Sequence, residues 1–338
     1  MPAFAFPSSS RGSTQNVICC VWDFDKTLIP GYMQEPIFRR FKVDERLFWE
    51  EVNGLPAFHR RHGLELVAQD SLYLNHILTY VRHGLFPGLN NRLLRELGDE
   101  IVFFEGLPQF FELVSESVRA NPRYEHHELR VEHYVVSTGL RQMILGSKIA
   151  PYIDGVWGCE FVERVPPPGY LMREAESDDG AAEPGSMFDG TVELRDVGYV
   201  IDNTTKTRAI FEINKGSNVA PEIDVNANVP HADRRVPFQN MIYVADGPSD
   251  VPVFSVVRQF GGKTFAVYRP GSKASFVQVN ELQRQGRIDS FGEACYRPGC
   301  QTSMWILHAV EEIAERIVAN RERALGETVG RPPRHLHD

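Results

Sequence analysis

Four short runs of β-branched and aromatic residues recur along this chain with helical patterns between them: Val17 to Trp22 (VICCVW), Val131 to Val136 (VEHYVV), Met241 to Ala245 (MIYVA) and Thr264 to Tyr268 (TFAVY). Runs of this length and make-up read as buried strands, and strands that alternate with helices are written this way when a mostly parallel sheet is covered by helices. Gly155 to Phe161 is a weaker fifth run. Helical stretches cover Leu107 to Val118, Lys206 to Asn214 and Ser249 to Arg258. Ser303 to Val318 carries an apolar stripe (Leu307, Val310, Ala314, Ile317) that suits packing on the core or against a partner subunit.

One long segment breaks the alternation. Residues 30 to 105 show helical spacing with few strand signals: Phe48, Trp49 and Val52 form one apolar face, and Leu74, Ile77, Leu78 and Val81 another. This predicts an inserted helical unit. Arg173 to Met187 and Gly216 to Gln239 read as loops.

The formal charge of -9 argues against a protein that neutralises a run of nucleic-acid phosphates, while leaving a small anionic ligand open. No apolar run is long enough to span a bilayer, and residues 1–16 lack the continuous apolar stretch of a secretory signal, so they are expected to be a loose tail. Five cysteines (Cys19, Cys20, Cys159, Cys295, Cys300), odd in number and widely spread, read as unpaired thiols in a reducing cytoplasm. Cys295 and Cys300 have the spacing of a metal half-site but no second pair to complete it.

Charged and hydroxyl residues gather where the strands end. After the first run comes Asp23-Phe24-Asp25-Lys26-Thr27; after the second, Ser137-Thr138-Gly139; after the third, Asp246-Gly247-Pro248-Ser249-Asp250. Lys206 opens a helix in Asn203-Thr204-Thr205-Lys206-Thr207. In open α/β sheets the C-terminal strand edge is where ligands bind.

This ordered set, DxDxT, a hydroxyl, a lysine, then DxxxD, resembles the haloacid dehalogenase superfamily, over Val17 to about Tyr268. The helical segment after the first motif resembles the family's cap of the first type, as in phosphoserine phosphatase. The resemblance implies a Rossmann-like, three-layer α/β core with a parallel sheet over residues 17–29 and 106–338, and a helical cap over residues 30–105 that closes over the site. It implies a magnesium-dependent phosphomonoester hydrolase working through an aspartyl-phosphate on a small phosphorylated metabolite. In that scheme Asp23 is the nucleophile and Asp25 the acid and base. The ion is held by the side chains of Asp23 and Asp246, by the main-chain carbonyl of Asp25 and by Asp250, directly or through water. Ser137, Thr138 and Lys206 hold the phosphoryl oxygens.

Residue chemistry agrees with this. A carboxylate can attack phosphorus and split one hard hydrolysis into two displacements, and an alkoxide leaving group needs the proton that a second carboxyl supplies. Carboxylates gathered at a phosphate require a hard cation with oxygen ligands. Two other readings stay open on the same fold: transfer to a sugar hydroxyl, and a catalytically silent binding protein. Ala245 stands where the family often has Gly. Lys215 competes with Lys206 but lies at a predicted helix end, where a cation answers the dipole. Ser137 is also placed to cap a helix starting near Leu140. Glu35 and the cluster His59-Arg60-Arg61-His62 are candidates for substrate contact that read more simply as solvated helix surface.

Overall fold

A computed structural model describes residues 15–171 and 192–329. Most of the expected tail and the acidic loop of residues 173–187 lie outside the described residues. The elements run β1 (Val17–Trp22), α1 (Glu35–Phe41), α2 (Glu45–Arg61), α3 (Gln69–Arg82), α4 (Asn91–Gly98), α5 (Gln109–Arg119), α6 (Pro122–His126), β2 (Arg130–Leu140), α7 (Arg141–Leu145), β3 (Gly155–Val162) and β4 (Asp196–Tyr199). They continue with α8 (Lys206–Lys215), β5 (Met241–Ala245), α9 (Val251–Gln259), β6 (Lys263–Tyr268), α10 (Lys273–Arg284), β7 (Ser290–Glu293) and α11 (Gln301–Val329).

Among the described residues seven strands form one sheet in the order β4-β3-β2-β1-β5-β6-β7, parallel throughout except for antiparallel β4 at one edge. β1 is central because all six of its residues are apolar and buried, which suits a strand covered on both faces. Its side chains alternate. Trp22 meets Phe110 and Phe111 of α5 edge-on, at ring-centroid distances of 6.3 and 5.4 Å, and Tyr296 at 6.0 Å. On the opposite face Tyr243 of β5 meets Phe254 of α9. Helices α5, α6 and α11 thus cover one side and α8, α9 and α10 the other, giving the expected Rossmann-like three layers. Truncating a ring such as Trp22 in this core costs about 3–5 kcal/mol.

The segment between β1 and α5 is helical, as its spacing predicts. α2 and α3 pack on each other, Phe48 meeting His76 and Tyr80 and Trp49 meeting Tyr73, while Leu74, Ile77, Leu78 and Val81 are buried in the core. Asp44 and Asn90 start α2 and α4 by accepting the N–H of Leu47 and Leu93, meeting donors that a helix start leaves unpaired. α4 lies against α7 so closely that a Cβ on Gly98 or Gly146 would strike the other helix's backbone. The apolar core is continuous between this segment and the sheet.

Two expectations change here. Cys295 and Cys300 are joined in a disulfide, because a turn brings their Cα atoms to 6.0 Å, within bridging range. The inference from unpaired thiols to a reducing compartment therefore does not extend to this pair; Cys19, Cys20 and Cys159 are free and buried. α11 runs well past Val318 and docks on α5, α6 and the sheet, with Arg123 paired to Glu315 and Glu322, so its apolar stripe faces the protein's own core. Among the described residues no helix is long and apolar enough to cross a membrane.

Candidate active site

Strand order reverses around β1: β2 and β3 continue to one side, and β5 to β7 to the other. At such a switch point the loops leaving the strand ends diverge and open a crevice. Asp23 stands at that edge, its N–H donating to the carbonyl of Val244 at 2.9 Å and so extending the β1–β5 pairing by one residue. The chain then turns sharply. Lys26 takes a left-handed conformation (φ 58°), and the N–H groups of Thr27 and Leu28 donate to the Phe24 carbonyl. This turn carries Asp25 back over the edge, where its Oδ1 accepts the N–H of Met33 at 2.9 Å.

The sequence-distant acidic groups converge. Asp23, Asp246 and Asp250 each offer a carboxylate oxygen within 4.8 Å of the others. Lys206, 2% exposed, reaches into them from the start of α8, its Nζ 2.7 Å from Asp23 Oδ1 and 2.7 Å from Asp250 Oδ1. Asp202 positions that helix start by accepting the N–H groups of Thr204 and Thr205. The second oxygen of Asp23 accepts from Thr27 Oγ1 at 3.2 Å.

Two ammonium groups, Lys206 within the set and Lys26 beside it, do not balance the carboxylates of Asp23, Asp25, Asp246 and Asp250. Burial raises the Asp23 carboxyl to about 6, Lys206 opposing it and Asp250 adding to it. Burial and the Asp23 charge raise Asp246 to about 7. Asp25 rises to about 8, through burial first and the Asp23 charge second, with the Met33 N–H pulling the other way. For Lys206 the burial penalty is outweighed by Asp23 and Asp250, so its ammonium is held above the ordinary lysine range. Three oxygen-donor carboxylates, short of positive charge and within a few ångströms, fit a hard divalent cation.

A cavity of about 380 Å³ opens onto these groups. Its floor carries Asp23, Asp25, Lys206 and Asp246, and its opposite wall carries Trp49 and Val52 of α2 and Gln69, Asp70 and Tyr73 of α3. Tyr73 OH donates to the main-chain oxygen of Thr138 at 2.8 Å, tying α3 to the end of β2. At that strand end Thr138 and Gly139 make the cavity wall, while Ser137 is buried with its Oγ accepting the Gly139 N–H at 3.0 Å. β2 continues to Leu140 and α7 begins without a side-chain cap, so Ser137 does not cap that helix. Gly139 is needed for close approach to Met33, whose Sδ accepts the Leu140 N–H, since a Cβ there would overlap the methionine side chain.

Lys215, the competing lysine, holds the carbonyls of Val225 and Ala227 far along its own loop. Glu35 is exposed beside Arg39, and Glu35 and residues 59–62 are not among the cavity-lining residues. Sequence reasoning missed Tyr243, whose buried OH donates to Asp250 Oδ1 at 2.6 Å, and Ser249, whose Oγ donates to Asp250 Oδ2 at 2.9 Å. A tyrosine inside an otherwise aliphatic strand was the available signal, since a buried phenol needs a partner. Gln34, Trp49, Asp70 and Tyr73 carried none, being set by how the helices dock.

No family model matches the chain. It is 39% identical over 299 residues to an uncharacterized protein of Borreliella burgdorferi, covering 88% of this chain and 97% of that one. Among solved structures it is similar to a HAD family hydrolase from Salmonella enterica subsp. enterica serovar Typhi (12% identity, 82% of this chain, 66% of that chain, TM-score 0.46). It is also similar to a phosphoserine phosphatase bearing a phospho-aspartyl intermediate analogue (14% identity, 82% and 93%, TM-score 0.40).

Proposed function

We propose that this chain, which belongs to one family with the uncharacterized protein of Borreliella burgdorferi, is a magnesium-dependent phosphomonoester hydrolase of the haloacid dehalogenase superfamily. The observation that carries the reading is the convergence of Asp23, Asp246, Asp250 and Lys206 on one cavity at the switch point of a parallel sheet. These residues come from three motifs scattered over the sequence.

The chemistry follows from the groups present. An Asp23 oxygen attacks phosphorus and the bond from phosphorus to the ester oxygen breaks, leaving an aspartyl phosphate. Asp25, held protonated up to about 8, gives its proton to the departing alkoxide. It then takes a proton from the water that attacks the aspartyl phosphate, releasing inorganic phosphate and restoring Asp23. Lys206 fixes the angle of Asp23 and adds positive charge where the transition state spreads negative charge. Thr138 and the backbone at Gly139 line the place where phosphoryl oxygens sit, with Ser137 supporting them from behind.

Magnesium would be held by Asp23 and Asp246, with the Asp25 carbonyl. Asp250, whose two oxygens already accept from Lys206, Tyr243 and Ser249, fits a water-mediated role. When bound, the ion offsets carboxylate and phosphate charge and polarises the phosphoryl group. Residues 30–105 act as the cap: α2 and α3 wall the cavity opposite the carboxylates and exclude bulk water.

The test is phosphate release from a panel of phosphomonoesters in magnesium, with Asp23→Asn as the blank. Hydrolysis by the parent chain that is lost in the variant is expected. Chelation should abolish it and magnesium restore it; full turnover in chelator would contradict the metal assignment.

A further inference from the structure

We propose that the short loop closed by the Cys295–Cys300 disulfide is a redox-sensitive brace on the active site, and that Tyr296 on this loop is a positioning residue for the nucleophile. This rests on the phosphatase reading above and gives that site a control by thiol chemistry.

The loop bears on two places that the reaction depends on. The first is the turn after β1. Tyr296, wholly buried, donates its OH to the Thr27 carbonyl at 2.7 Å. Thr27 in turn donates from Oγ1 to Asp23 Oδ2 and from its N–H to the Phe24 carbonyl, so the phenol helps fix the turn that sets the angle of the attacking carboxylate. The Tyr296 ring meets Trp22 and Phe110 at 6.0 and 5.6 Å. A buried phenol that loses its acceptor is left unpaired, so a shift of the loop is felt at Thr27.

The second place is the connection that leads from the helical segment back to α5. The Tyr296 N–H donates to the Glu105 carbonyl at 2.8 Å, and Arg297 Nε lies 3.0 Å from Glu105 Oε2. Gly106, in a left-handed conformation (φ 95°), passes so near that a Cβ there would overlap the Tyr296–Arg297 peptide. Phe104 joins the same connection to the turn, its N–H donating to the Leu28 carbonyl at 2.9 Å. One loop therefore ties the nucleophile's turn to a root of the cap.

The disulfide makes this tie switchable. Arg297, Pro298 and Gly299 between the two cysteines are exposed, and both cysteines are half-buried. A small dithiol can reach the bond. Its thiolate attacks one sulfur and the other leaves as a thiol. Its second thiol then closes on the first, so that two protein thiols and a cyclic oxidised reagent result, two electrons and two protons having passed to the protein. Cys19, Cys20 and Cys159 are free and buried, away from this exchange. Without the crosslink the loop keeps its bonds to Glu105 and Thr27 but gains alternative backbone conformations, and the braced arrangement is populated less.

The test compares kcat and KM of the oxidised and the dithiothreitol-treated protein on p-nitrophenyl phosphate in magnesium. Alkylation of the folded protein should label two thiols after reduction and none before. Reduction should lower kcat by about threefold or more with KM little changed, the loss expected when reacting groups are held less well, and reoxidation by a small disulfide should restore it. Cys295→Ser/Cys300→Ser should match the reduced protein and ignore the reagent. Tyr296→Phe keeps the ring and removes the OH; it should lower kcat in the oxidised protein and blunt the response to reduction. Exchange of the Tyr296 amide hydrogen should quicken on reduction, a readout that needs no substrate. A bond that the reagent cannot open in the folded protein, or equal kcat with the bond open and closed, would overturn the inference and leave the phosphatase reading standing. No turnover of any ester in either state sinks the phosphatase reading; the brace is then decided by exchange, and unchanged protection of the Tyr296 amide overturns it.

Discussion

Glu132 and Asp25 are carboxylates set into the same α/β core, and they end in opposite electrostatic states. Glu132, on β2, accepts from Arg235, from Tyr134 OH at 2.6 Å and from Arg130 Nε at 3.0 Å. Burial pushes its carboxyl up, but Arg235 and Tyr134 more than reverse this, and it titrates below the ordinary glutamate range. Asp25, at the far edge of the sheet, has the Met33 N–H as its hydrogen-bond donor and two acidic neighbours, and it rises to about 8. Enclosure is common to both, so enclosure does not mark a reactive group. What separates them is the supply of donors: one is saturated and structural, the other is left short of positive charge beside a cavity.

The contrast can be broken by experiment. The largest expected effect is at the charge-starved end, where Asp23→Asn should lower kcat by at least about a thousandfold with the melting temperature little changed. Next comes Asp25→Asn, expected to cost about 10²–10⁴ in kcat for an alkyl phosphate and much less for p-nitrophenyl phosphate, whose leaving group needs no proton. A loss equal for both esters would remove the acid role from Asp25. At the saturated end Glu132→Gln should cost about 3 kcal/mol in denaturant unfolding, by stranding Arg235, while kcat stays that of the parent. A fall in kcat there would erase the distinction.

The smallest effect is a difference in sign. The raised Asp25 carboxyl makes a contribution to stability that is fully present below its ordinary value of 3.8 and is lost as pH rises through about 8. The lowered Glu132 makes one that is present above its ordinary value of 4.5 and is lost as pH falls through its folded value. Urea midpoints of the metal-free protein should therefore decline between pH 5 and about 8, and Asp25→Asn should flatten that decline. A profile that the substitution leaves unchanged would show that the slope arises elsewhere.

Much of this was legible from the chain. β1 and β5 match their apolar runs residue for residue, because strands buried on both faces need unbroken apolar side chains. Asp23 and Asp246 were legible too, standing just past strands whose ends the sequence marks, whereas Ser137 lies inside β2, which runs on to Leu140 beyond its apolar run. β4 and β7 were not legible: each has four residues, with little apolar signal, and takes its place by pairing to a neighbour already set. The pairing of Cys295 with Cys300 escaped for a related reason, being a matter of turn geometry. Gln34, Asp70 and Tyr73 stayed hidden because they share a cavity only after α2 and α3 have docked across the strand ends.

The bond between Tyr73 and residue 138 is lopsided in what it demands of the chain. Its acceptor is a main-chain oxygen, which every amino acid carries, so evolutionary drift at 138 keeps the link. Its donor is a hydroxyl at the tip of an aromatic ring, and even phenylalanine at 73 severs it. The link itself is therefore blind to the side chain at 138 and exacting at 73, so any constraint on residue 138 comes from its place on the cavity wall and not from this bond.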